Sequence, residues 1–133
     1  MTDTNLETAN QRAQKIVKGL RILLVDDEPV VREPIAMLLN LDSHEVTEAS
    51  SGGQALELLD AASFDLLITD YRMEGMTGDE LAVKAKKSHP DLPVLMLTGF
   101  IPSTGGSNPV DGIVYKPCSL DDLRNAIAKV VRR

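Results

Sequence analysis

One cysteine, Cys118, stands in the 133 residues of the chain. It has no partner for an internal disulfide, and a cysteine-rich metal site is excluded with it. Positive charge is also short: 14 Lys and Arg face 20 Asp and Glu, for a formal charge of -6. Nonspecific nucleic-acid binding depends on neutralising phosphates with Lys and Arg. No basic block here is longer than the terminal Arg132-Arg133, so no nucleic-acid partner is expected. No apolar stretch approaches the roughly 18 residues of a membrane span, and the polar N-terminus has no apolar centre of a signal peptide. The expectations are no membrane association and a cytoplasmic location.

What is present is ordinary for a globular protein, 43% hydrophobic and 26% charged. A chain of this length makes one domain and buries roughly two thirds of its unfolded surface. Residues 1–19 read as a polar extension with a helical signature. Thr4 and Glu7 form a capping box, Leu6, Ala9, Ala13, Ile16 and Val17 share one side, and Gly19 can end the helix. The domain proper is expected over residues 20–133.

Within that domain, short apolar runs alternate with helical periods. Arg21 to Val25 and the run Leu66, Leu67 and Ile68 are apolar stretches, as expected of strands buried on both faces of a parallel sheet. Val94 to Leu97, closing on Thr98, is a third, and Ile113 to Tyr115 a short last strand. His44 to Ala49 is interrupted by Glu45 and Glu48, which suits an edge. The first helix, running to about Asn40, carries Val31, Ile35, Leu38 and Leu39 on one side. Pro34 is awkward in it, fitting only a start near Val30 or a kink. Ser51 with Gln54, Thr77 with Glu80 and Ser119 with Asp122 mark three more helix starts. Repeated β-α units give a parallel sheet with helices on both faces. With the polar second strand at an edge, the order 2-1-3-4-5 follows: an α/β, doubly wound, five-stranded sheet. Gly99 to Asp111 breaks the pattern. It holds three glycines and two prolines with no helical period, so the helix between strands 4 and 5 is expected to be missing or reduced to a turn, in a connection long enough to be functional.

Four strand ends carry polar residues: Asp26-Asp27, Asp70, Thr98 and Lys116. Each alone has a bland explanation: Asp27 could cap a helix, Asp70 begin a turn, Thr98 cap, and Lys116 sit solvated. Together those explanations leave unexplained why all four fall on one rim, at the carboxyl ends where ligands of open α/β sheets bind. Three carboxylates close together call for a cation. Oxygen ligands open to water suit Mg²⁺ better than Zn²⁺. A carboxylate can attack phosphorus, and phosphoryl transfer asks mainly for alignment and neutralisation of the equatorial oxygens. Lys116 and Mg²⁺ can neutralise, and the Thr98 hydroxyl can donate a hydrogen bond.

Leu23-Leu24-Val25-Asp26-Asp27-Glu28, Ile68-Thr69-Asp70 followed by Met73 and Gly78, Leu97-Thr98-Gly99 and Lys116-Pro117 resemble the response-regulator receiver domain of two-component signalling. The resemblance covers about residues 20–133. It implies the flavodoxin-like fold, whose 2-1-3-4-5 order is known from flavodoxin and a chemotaxis receiver. It implies Asp70 as phosphoacceptor, with Asp26, Asp27, Asp70 and the backbone carbonyl of Arg72 holding Mg²⁺. Thr98 and Lys116 would contact the phosphoryl group, and Lys116-Pro117 would be cis. The partners implied are a histidine kinase or histidine phosphotransfer protein and a downstream protein, for a signalling phosphoacceptor that promotes its own phosphorylation and dephosphorylation without turning over an external substrate. Other readings stay open: a docking module that is not phosphorylated, a receiver cut from a hybrid kinase, or a Mg²⁺-dependent aspartyl phosphohydrolase. The last usually carries a second Asp two residues on, where this chain has Arg72.

Three departures stand out. Glu74 occupies the place where the family usually has proline, which loosens the expected loop. Ile113 occupies the place of the aromatic switch residue, and the only nearby aromatic, Tyr115, adjoins Lys116. Thr98 and Lys116 are 18 residues apart, short for the family and consistent with a lost helix. Of the remaining polar and sulfur-containing residues, Cys118 is expected to be buried as a small apolar residue. His44 and His89 are expected at the surface without a metal partner, and Met73, Met76 and Met96 as loop or core filler. Arg72 and Phe100 flank the phosphoryl position by the resemblance and are expected to restrict water. Arg72→Ala or Phe100→Ala should therefore hasten loss of the phosphoryl group, read as the decay of phosphorylated protein; decay unchanged in both would refute the shielding role.

Overall fold

The computed structural model describes residues 16–99 and 109–131. The expected helix over most of residues 1–19, the shielding residue Phe100 and most of the glycine-rich connection lie outside the described residues. Five parallel strands form one sheet: β1 (Arg21–Val25), β2 (Glu45–Ala49), β3 (Leu66–Thr69), β4 (Val94–Thr98) and β5 (Gly112–Tyr115). Their order is β2-β1-β3-β4-β5. Four helices are described: α1 (Pro29–Asn40), α2 (Gly52–Ala61), α3 (Gly78–Ser88) and α4 (Leu120–Val130). This is the doubly wound, flavodoxin-like arrangement, and among the described residues no helix stands between β4 and β5.

Alternation along the strands divides the core. Ile22, Leu24, Leu66, Ile68, Leu95 and Leu97 point to one face, where Ile35 and Leu39 of α1 and Leu123 and Ile127 of α4 cover them. Leu23, Val25, Leu67 and Val94 point to the other, against Ala55 and Leu59 of α2 and Leu81, Ala82 and Ala85 of α3. Truncating such a fully buried leucine to alanine costs about 2–5 kcal/mol, so the central strands fix the frame. β2 lies at the edge, and its charges are partnered: Glu48 meets Arg32 at 2.7 Å and Glu45 meets Arg21 at 3.7 Å.

The helix starts follow local chemistry. Thr77 with Glu80 and Ser119 with Asp122 form reciprocal capping boxes. Ser51 caps α2 by accepting from the Gln54 amide, while the Gln54 side chain accepts from the Ser50 amide, one residue earlier than a capping box would have it. α1 differs. Its N-cap is Glu28, without a side-chain cap bond, and the helix opens at Pro29. Pro34 then stands inside the helix and is tolerated on its exposed side, and Val31 is only partly buried. Where the β4–β5 connection rejoins the sheet, the Asp111 carboxylate accepts from the Val94 amide at 2.8 Å and from Lys86 Nζ at 2.8 Å.

Other expectations need sorting. Met96 is fully buried and Met73 and Met76 pack against the α2–α3 side. Cys118 is half-buried against the α1–α4 side. His89 caps the end of α3 half-buried, 3.7 Å from Asp60. His44 is a correction: it is not at the surface but 5% exposed. Its Nδ1 accepts from the Leu20 amide at 3.0 Å, which gives a sheet-edge histidine an inward role. Burial holds its protonation below the ordinary 6.5, although neighbouring Asp42 works the other way. The unfolded chain therefore takes up this proton first as pH falls. Stability carried by neutral His44 is present above 6.5 and is lost below it, down through the depressed native value. His44→Asn keeps an acceptor but cannot titrate, so its thermal midpoint should fall less than the wild type's between pH 7 and the ordinary carboxylate range.

Candidate functional site

The sheet's hydrogen bonding runs one residue past the strands and fixes the main chain of the residues beyond. The Asp26 amide donates to Ala49 O at 3.1 Å, Asp70 to Val25 O at 3.0 Å and Lys116 to Thr98 O at 2.9 Å. Three side chains are thereby held on one rim of the sheet, Asp26 and Asp70 at the adjoining ends of β1 and β3 and Lys116 beyond β5. Asp27, Glu28, Val31, Asp70, Arg72, Thr98, Gly99 and Lys116 line one cleft there.

Asp26 is nearly buried. Its Oδ1 accepts from the Glu28 amide at 3.0 Å and its Oδ2 from Lys116 Nζ at 2.9 Å. The same ammonium lies 3.5 Å from Asp70 Oδ1. Asp27 is exposed and does not cap α1; its Oδ2 accepts from the main-chain amide of Glu74 at 3.1 Å. One oxygen from each of Asp26, Asp27 and Asp70 falls within 4.8 Å of the others. Carboxylates about 4 Å apart repel by about 4 kcal/mol per pair near a protein surface. One lysine offsets only part of three such repulsions. Burial raises the Asp70 pKa above its ordinary 3.8; Lys116 opposes that, and Asp26 adds to it. An all-oxygen donor set with surplus negative charge, partly open to water, fits Mg²⁺.

Thr98 is buried at the end of β4, in the same cleft, and Arg72 lies exposed at its lip. Lys116-Pro117 is cis. The fold thus brings Asp26, Asp27, Asp70, Thr98, Lys116 and Arg72 together. Two contributors escaped the sequence reading. Arg32 donates from Nη1 to the Asp26 carbonyl at 2.7 Å while gripping Glu48 with Nε. Its place one helical turn after Glu28, facing an edge-strand acid, was the available signal. Glu74 is the other, and its amide, not its side chain, reaches the site.

Gly78 shows how closely α3 approaches Asp70. Its amide donates to Tyr71 O at 2.8 Å, and a Cβ there would collide with the carbonyl of Asp70. A hard backbone neighbour cannot yield as a flexible side chain would.

A family model described as response regulator receiver domain matches residues 22–128. The chemotaxis protein CheY of Pseudomonas aeruginosa is 37% identical over 86% of this chain and 98% of its own. The sensor protein EvgS of Escherichia coli K12 is 35% identical over 94% of this chain, which spans only 11% of that protein. The crystal structure of the Thermotoga maritima response regulator TrrA, in complex with Mg²⁺–BeF, superposes with a TM-score of 0.78 at 33% identity, covering 86% of this chain and 99% of that one.

Gly78→Ala should cost about 1–3 kcal/mol, the usual range for overpacking, measured by urea unfolding. Stability equal to wild type would show that the helix start can move away from Asp70.

Proposed function

Because the chain belongs to the response regulator receiver domain family, we propose that it is a phosphoacceptor of two-component signalling, with Asp70 as the modified residue. The supporting observation is the Asp70 carboxylate held in a cleft between Lys116 Nζ and the carboxylates of Asp26 and Asp27. A carboxylate oxygen of Asp70 forms the bond to phosphorus as the phosphorus–nitrogen bond of a donor phosphohistidine breaks, and the imidazole leaves with the electron pair. The donor is a histidine kinase or histidine phosphotransfer protein.

Lys116 is placed to accompany the charge as it moves onto the phosphoryl oxygens, since it already spans Asp26 and Asp70. The Thr98 hydroxyl, one strand over, is assigned a hydrogen bond to one of those oxygens, and Arg72 the outer boundary against water. Asp26, Asp27, Asp70 and the Arg72 carbonyl would hold Mg²⁺, which supplies neutralisation of the carboxylates and of a phosphoryl oxygen. The acyl phosphate changes the charge at the rim of the sheet, and a downstream protein reads the altered surface. In this reading the chain is a cytoplasmic signalling component, not an enzyme acting on an external substrate; among the described residues no helix is long and apolar enough to cross a membrane.

Incubation with acetyl phosphate and Mg²⁺ should add one phosphoryl group by intact mass, and Asp70→Asn should abolish it. Lys116→Ala should slow modification about 10²-fold, the scale for removing one electrostatic donor at a reacting centre. A wild-type chain that stays unmodified, or an Asp70→Asn chain that is modified equally, would sink the proposal and favour a docking module.

A further inference from the structure

The three carboxylates are not held alike. Asp26 is gripped at both oxygens, by the Glu28 amide and by Lys116. Asp70 faces Lys116 at 3.5 Å. Asp27 is the exposed member, and the hydrogen bond recorded to its carboxylate comes from the Glu74 main-chain N–H, 47 residues along the chain. An exposed aspartate beside two other carboxylates gains by turning away from them into water. A donor fixed to Oδ2 resists that rotation. A proline cannot make this bond, having no N–H.

We propose that the main-chain amide of Glu74 is a positioning group for the cation site: it orients Asp27 as a ligand and thereby sets the affinity for Mg²⁺. The inference rests on the proposed function, in which Asp26, Asp27 and Asp70 hold the ion. Hydrogen bonds to ligating carboxylates generally control metal affinity, and losing one typically costs 10–100-fold. The arrangement would also tie the β3–α3 loop to the ion twice, through the Arg72 carbonyl as a ligand and through the Glu74 amide by way of Asp27. A loop that lacks the usual proline is then fastened by a bond that proline would forbid. The Glu74 side chain is exposed, so its charge acts through water and is screened by salt.

The test separates amide from side chain. Mg²⁺ is titrated calorimetrically into the metal-free full chain as wild type, E74A and E74P. E74A keeps the N–H and should bind within about twofold of wild type; E74P should bind about tenfold more weakly. Thermal midpoints in chelator establish that both variants are folded. E74P binding as tightly as E74A overturns the inference while leaving the phosphoacceptor reading intact. Wild-type protein without saturable Mg²⁺ binding, or with binding undiminished in Asp70→Asn, overturns the cation site itself and the inference with it. If E74P does not fold, the Glu74 amide resonance of the metal-free wild type decides. It should shift markedly in Asp27→Ala, and an unmoved resonance overturns the inference.

Discussion

The ammonium of Lys116 lies between Asp26 and Asp70, and the rest of the site depends on that contact. Without it, three carboxylates would be crowded at the ends of neighbouring strands, with repulsion comparable to a large part of a domain's net stability. With it, negative charge is still in excess. The cluster is stable enough to form when the chain folds and unbalanced enough to attract a cation. The raised Asp70 pKa expresses the same tension, since burial outweighs the lysine's pull.

That contact is possible only because of how the sheet is wound. β1 and β3 are neighbours in space but not in sequence. Their carboxyl ends therefore place Asp26 and Asp70 side by side, while their following helices pass to opposite faces. Lys116 arrives from the far edge, beyond β4, on a long side chain, its backbone fixed by the bond to the Thr98 carbonyl. The fully buried strands that make this frame rigid contribute nothing to the chemistry directly. They hold the charged rim in place against its own repulsion.

Two of the three departures from the family pattern lie on the β4–β5 side of the sheet, whereas the third, Glu74, reaches the carboxylate cluster through its amide. Among the described residues, β4 and β5 are joined without a helix, Tyr115 is exposed, and Asp111 ties the start of β5 to Val94 and Lys86. The surface around β5 therefore differs from the family's usual arrangement.

Periodicity and turn residues located the strands and three of the four helix starts, and the polar second strand indicated the sheet order, because apolar alternation and capping are local properties of the chain. The same reading named the polar strand ends, since a carboxylate closing a buried apolar run has few reasons to be there. It failed for His44, expected at the surface for want of a metal partner, although its ring bonds inward to Leu20. It also left open whether Asp27 capped a helix. Only the tertiary structure decided that Asp27 is held by the Glu74 amide, that Arg32 braces Asp26, and that Lys116 meets both Asp26 and Asp70. Those contacts join positions 6 to 90 residues apart. A backbone N–H carries no side-chain signature, and whether a charge is satisfied depends on what folding brings to it.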